Sequence, residues 1–203
     1  MPDRVPNAER RAQTRAKLLA CARVLFTEKG FAEASTDEIA SAAGVTRGAL
    51  YHQFADKTAL FEAVLDEVEA EIAAELLRDV PGDDPATVLK HASRRLLELC
   101  QRDDLRRITL VEAPSVVGWA KWREIDARHG FGLLQAVLGE AARRGQIPAE
   151  RVVPLAHLFL GAASEAALAL AQTPEDDAAR ERMTGSLEWL VDRLLAEPEG
   201  EGP

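Results

Sequence analysis

The run STDEIASAAGVTRGALYHQFADK, residues Ser35–Lys57, decides how the chain is read. Ser35 and Glu38 stand at the spacing of a capping box, and Asp37 and Glu38 suit the positive end of the helix they open. Ile39, Ala40 and Ala43 give that short helix a small apolar face. Gly44 falls where a left-handed residue ends it, and Val45 plugs the core behind the turn. Thr46 caps a second short helix, Arg47–Gln53, in which Leu50 and Phe54 face inward. Two short helices, a glycine turn and a small alanine at the crossing read as a helix-turn-helix.

The outward face of the second helix carries Thr46, Arg47, Gly48, Ala49, Tyr51 and His52. Arginine can fork onto guanine, threonine and alanine can touch a thymine methyl, and tyrosine and histidine reach phosphates or base edges. Gly48 costs a helix about 1 kcal/mol against alanine, which a close approach to a DNA backbone would explain. Lys57 opposes the dipole at the start of the next helix, and a phosphate there would turn the cation and the orphan amides into attractions. Thr36 reads as a cap that can also touch phosphate. Singly, each of these residues is an ordinary solvated or half-buried helix residue; gathered on one face of this motif they read as DNA contacts. Arg10, Arg11, Arg15 and Lys17 read equally as a solvated face or as an arm along the DNA backbone.

Outside this run the apolar spacing is helical almost everywhere, and aromatics make up only 5% of the chain, so an all-α fold follows. Helices are expected at Ala8–Lys29, Ser35–Ala43, Arg47–Gln53, Lys57–Arg78 and about 86–101, 104–113, 119–144, 150–172 and 176–196, nine in all. Breakers such as Gly30, Pro81-Gly82, Ala113-Pro114, Gly145 and Pro174 separate them. The expected division is an N-terminal three-helix helix-turn-helix domain, 8–56, and a helical C-terminal domain, 57–203. The latter begins with a connecting helix, 57–79, and ends in an acidic Pro/Gly tail, 197–203, expected to be disordered.

The net charge of −9 over 203 residues argues, taken whole, against a nucleic-acid partner and against an anionic membrane surface. Its distribution reverses the first of these. Residues 1–60 hold nine Lys/Arg against seven Asp/Glu, +2, which leaves −11 on the rest. The greasy stretch Val152–Ala171 is interrupted by Pro154, His157, Ser164 and Glu165, so its charge-free part is too short for a membrane span. Cys21 and Cys100 lie far apart and read as inert thiols in a reducing compartment, and a soluble cytoplasmic protein is expected. Glycine-rich phosphate loops, GxSxG and HExxH are absent and the four histidines never reach ligand spacing, so no enzyme, cofactor or metal is expected.

Thr14–Phe61 resembles the DNA-binding domain of the tetracycline-repressor family. The likeness rests on Leu25-Phe26, Gly30-Phe31, Thr36, Ile39-Ala40, Ala43-Gly44-Val45-Thr46, Gly48–Phe54, Lys57 and Leu60. Gln53 stands where many members have histidine, which leaves base preference open. The resemblance implies a homodimeric repressor of a palindromic operator. Its divergent C-terminal domain would hold a small hydrophobic or amphipathic effector and dimerise through the last two helices, about 150–172 and 176–196.

Trp119, Trp122, Phe131, Phe159 and Glu165 are the candidate effector contacts, because a ligand pocket is mostly apolar with few polar groups. Core packing explains the four aromatics equally well. Glu165 interrupts an uncharged helix and would need a partner if buried, in the pocket or across a dimer interface. The alternative function is a DNA-binding regulator or architectural protein with a closed core and no effector. The absence of any effector-size cavity among the helices spanning 86 to 172 would mark the alternative.

Overall fold

The computed structural model describes residues 7–173 and 175–196; the acidic tail 197–203 lies outside the described residues. Among these residues the chain forms nine helices and no strand: α1 (Asn7–Lys29), α2 (Thr36–Ala42), α3 (Arg47–Gln53), α4 (Lys57–Leu76), α5 (Pro85–Leu99), α6 (residues 103–116), α7 (Trp119–Arg143), α8 (Val152–Ala171) and α9 (Asp177–Leu194). A 3₁₀ turn, Ala149–Arg151, leads into α8.

The expected break at Ala113-Pro114 is not there. The segment runs through Pro114, with a π-helical stretch, Arg107–Glu112, immediately before the α-helical turn Ala113–Val116. Proline has no N–H to return to the carbonyl four residues back and crowds it, and the wider π turn makes room without ending the helix. The chain stops instead at Gly118, whose φ of +81° lies in the left-handed region.

Two packed regions share α4. Around its N-terminal half, α1, α2 and α3 bury Leu18, Phe26, Ile39, Leu50, Leu60 and Phe61. Phe26, Phe31 and Phe61 meet there with ring centroids 5.2–5.8 Å apart, a spacing favourable to aromatic pairs. Around its C-terminal half pack α5 and α7, with α8 lying on α7 and α5 and α9 closing on α5 through Leu187 and through the pairs Arg94–Glu188 and Lys90–Asp192. The apolar core does not stop at residue 57: Leu105, Ile108, Trp122 and Ile125 belong to the cluster that holds the three N-terminal helices.

Helix α8 turns Phe159, Leu160, Ala163, Ala167 and Leu170 inward and leaves Val153, Leu158, Glu165 and Ala169 outward. Residues Ala149–Ala171 are long and apolar enough to cross a membrane by length and composition, contrary to the expectation from the interrupting residues. Packing gives the segment another role, as the inner wall of the C-terminal bundle.

Candidate functional site

The helix-turn-helix is held by local bonds at every joint. Ser35 Oγ accepts from the Glu38 N–H while Glu38 Oε2 accepts from the Ser35 N–H, the reciprocal capping box expected at this spacing. The Lys29 ammonium, 2.7 Å from Glu38, together with Ser35, draws that carboxyl down to about 2. At the turn, Gly44 (φ +67°) donates to Ser41 O and Val45 donates to Ala40 O, which satisfies the last carbonyls of α2. Thr46 Oγ1 then accepts from the Ala49 N–H and starts α3, whose Leu50 is fully buried.

Thr46, Arg47, Gly48, Tyr51 and His52 are exposed together on α3, with Ala49 half-buried beside them. Thr36, the first residue of α2 and not its cap, shares a 3.2 Å hydrogen bond with the Tyr51 hydroxyl, which holds that phenol below its ordinary value. The Arg47 guanidinium lies 3.2 Å from Asp37 and 5.5 Å above the Tyr51 ring. Both its partners are exposed, so a stronger anion competes with Asp37 at little cost. Gln53 donates to the Arg11 carbonyl and Arg15 lies over the Phe54 ring, which fastens α1 to α3.

Lys57 stands differently from the phosphate contact expected of it. Its Nζ donates to the carbonyls of Phe31, Ala32 and Ala34 and lies 4.4 Å from the Phe31 ring centroid. An ammonium has three protons, and these carbonyls take them. The cation that opposes the α4 dipole is compensated by the loop between α1 and α2, and the start of α4 is capped by Asp56. Lys57 is a staple of the reading head.

In the C-terminal half, an apolar cavity of about 60 Å³ opens between α4, α5, α7 and α8, bordered by Leu76, Leu89, Leu96, Leu134, Phe159 and Leu160 among others. Of the five candidate residues only Phe159 borders it. Trp122 is buried in the core beside it, Trp119 is 57% exposed, and Phe131 stacks on His157 at 4.3 Å, away from the cavity. Glu165 lies on the outer face of α8, because the 3.6-residue period that turns Ala163, Ser164 and Ala167 inward turns residue 165 away.

The family profile described as "Tetracyclin repressor-like, C-terminal domain" matches residues 86–194, and that described as "Bacterial regulatory proteins, tetR family" matches residues 18–64. The chain belongs to the tetracycline-repressor family of bacterial transcriptional regulators. A crystal structure of a tetR-family transcriptional regulator from Pectobacterium atrosepticum is similar at 32% identity, with a TM-score of 0.82 over 96% of this chain and 100% of that one. The HTH-type transcriptional regulator AcrR of Shigella flexneri is 38% identical over 101 residues, which span 48% of this chain and 46% of that protein. The structure of RolR in complex with resorcinol shares the fold, with a TM-score of 0.72 at 20% identity over 96% of this chain and 99% of that one. Members of this family are DNA-binding regulators, typically repressors, and the helix-turn-helix described above is their DNA-binding element.

Within this family fold the helices that border the cavity also carry a buried acidic pair that the sequence reading missed. Glu69 is buried, 9% exposed, with no hydrogen-bond partner among the described residues. Burial, then Asp126 and Asp66, pushes its carboxyl up to about 8. Asp126 is raised by burial as well, against the pull of Arg123 at 3.0 Å and the hydroxyl of Ser164 at 3.1 Å. Cys100, near both, is pushed up to about 12 by burial and is an inert thiol. The signal for Glu69 was present in the sequence: it falls between Leu65 and Ile72 on the apolar stripe of α4, four residues after one and three before the other.

Proposed function

We propose that the protein is a homodimeric, ligand-responsive repressor of a palindromic operator. The observation that carries this reading is the course of α4. Its Leu60, Phe61 and Val64 lie in the core of the reading head, and Leu76, about four turns on, borders the apolar cavity. An occupant that displaces the α4 wall therefore acts on the head through one continuous rod. It shifts DNA affinity by its differential affinity for the two α4 positions and by no more. Thr36, Thr46, Arg47, Gly48, Ala49, Tyr51 and His52 form the DNA-contacting face in this reading. The resorcinol-bound RolR supports an effector by analogy of fold, and the apolar cavity of about 60 Å³, smaller than an effector, marks where one would enter.

The dimer is supported by apolar surface that one chain leaves uncovered. Leu158 is 69% exposed on α8 and Trp189 57% exposed on α9, with Val153 and Leu190 beside them in the same two helices. Large apolar side chains repeated along two outer helices mark an interface, and Glu165 sits on the α8 part of this face.

Footprinting on DNA flanking the protein's own gene tests the reading. The expected result is a protected palindrome with half-site centres about 34–36 Å apart or a multiple of that. Arg47→Ala is expected to weaken specific binding by about 1–3 kcal/mol and to leave the dimer intact by size exclusion. Absence of any protected palindrome refutes it, and operator binding indifferent to every cavity occupant favours the ligand-free alternative.

A further inference from the structure

The buried carboxyls lie one layer beyond the cavity, on the same faces of the helices that border it. On α4, Leu76 borders the cavity and Glu69 lies two turns back, past Ile72; on α5, Leu96 borders it and Cys100 lies one turn on. On α7, Gly130 borders it and Asp126 lies one turn back; on α8, Leu160 borders it and Ser164 lies one turn on. These four residues converge: Ser164 donates to Asp126, and Cys100 feels the charges of Glu69 and Asp126. Four helices thus present apolar side chains along the cavity and polar ones beyond its end toward the reading head.

The polar end is built and unsatisfied. Glu69 has no hydrogen-bond donor among the described residues. The charged and titratable groups around Glu69 are Asp66 on its own helix, paired with Arg128 and His129 of α7; Asp126 with its partner Arg123, also on α7; and the neutral Cys100 of α5. All three basic partners bind the neighbouring aspartates and none binds Glu69. A buried carboxyl without a partner is costly, and a cation at this end removes that cost.

Resting on the effector reading above, we infer that the cavity takes an amphiphilic organic cation, its apolar body between Leu76, Leu96, Leu134 and Leu160 and its positive nitrogen at Glu69 and Asp126. A cavity of about 60 Å³ is far below the roughly 300–1,000 Å³ of drug-sized ligand pockets. Entry of such a molecule therefore parts α4 from α5, α7 and α8. Near neutral pH Glu69 holds its proton, so a cation that ionises it displaces that proton to solvent; charge and protons balance with no other reactant.

The test is calorimetry on the full chain with three probes that share one tail: decyltrimethylammonium, whose charge does not depend on pH, neutral 1-decanol and anionic decanoate. The expected result is at least a tenfold preference for the cation at pH 8.5. At pH 7 the cation should release close to one proton per chain, read from the buffer dependence of the heat, and its affinity should fall by up to about tenfold per pH step below 8. Glu69→Gln should abolish the proton release and the pH dependence, whereas Asp126→Asn, which leaves Glu69 buried, should weaken the cation and reduce both without abolishing either. Decanol or decanoate binding as tightly as the cation, or proton release surviving in Glu69→Gln, overturns the inference while leaving an effector cavity in place. Failure of all three probes overturns the cavity as an effector site along with it.

Discussion

Replacing Glu69 by glutamine should make the protein more stable at neutral pH, and the gain should vanish in acid. The carboxyl rises from its ordinary 4.5 to about 8 on folding because it is buried beside Asp126 and Asp66. Below the lower value both folded and unfolded chains hold the proton and the site is neutral with respect to stability. Between the two values the unfolded chain gives its proton up and the folded chain keeps it. Folding therefore takes up a proton, and stability falls by about 1.4 kcal/mol for each pH step. By pH 7 the accumulated cost is about 3 kcal/mol, a large share of the roughly 5–15 kcal/mol that holds a domain folded. Glutamine does not titrate, so the difference in unfolding free energy between variant and parent should widen by about 2–3 kcal/mol from pH 5 to pH 7. Urea denaturation at fixed protein concentration reads this difference, and every other titrating group cancels between the two proteins. Parallel stability curves across that range would refute the burial and charge environment assigned to Glu69.

Gly44→Ala should destabilise the reading head by about 1–2 kcal/mol from its left-handed backbone alone, since nothing lies within 4 Å of a Cβ there; thermal melting shows it as a drop of a few degrees. Lys57→Met keeps an apolar stem near Phe31 and strands three carbonyls, at a cost of about 1–3 kcal/mol. Its operator affinity, corrected for the folded fraction, should match the parent, and a specific loss in a binding titration would return Lys57 to the DNA contacts. Leu158→Asp places a charge on the apolar outer face of α8 and should yield monomers in sedimentation without lowering helical content.

The helix-turn-helix was legible because everything that builds it is local. Ser35 and Glu38 are three residues apart, Gly44 ends α2 within its own turn, and Thr46 reaches only to Ala49, so chain order carries the geometry. The outward set on α3 follows from helical period once Leu50 and Phe54 are known to face in. The internal partners of Lys57 were not legible, because the carbonyls of residues 31 to 34 lie more than twenty residues away and answer a charge that looked unanswered at its own helix end. Pro114 was misread as a stop because a proline signals a break in α geometry, and the chain met that demand with a π turn.

The C-terminal half divides the same way. Nine helices and their rough bounds came from periodicity and breakers, as did the acidic body that first spoke against DNA. Which residues meet between those helices depends on the rotation of each about its own axis, and a rotation of 100° per residue separates buried Ser164 from exposed Glu165. Only packing could place Phe159 at the cavity and Trp119 in solvent. Only packing could bring Glu69 and Asp126, 57 positions apart, into one buried end. Local bonds read directly from sequence because their partners are fixed by chain spacing; the cavity and its acid end arise from distant residues, whose meeting is settled when the helices dock.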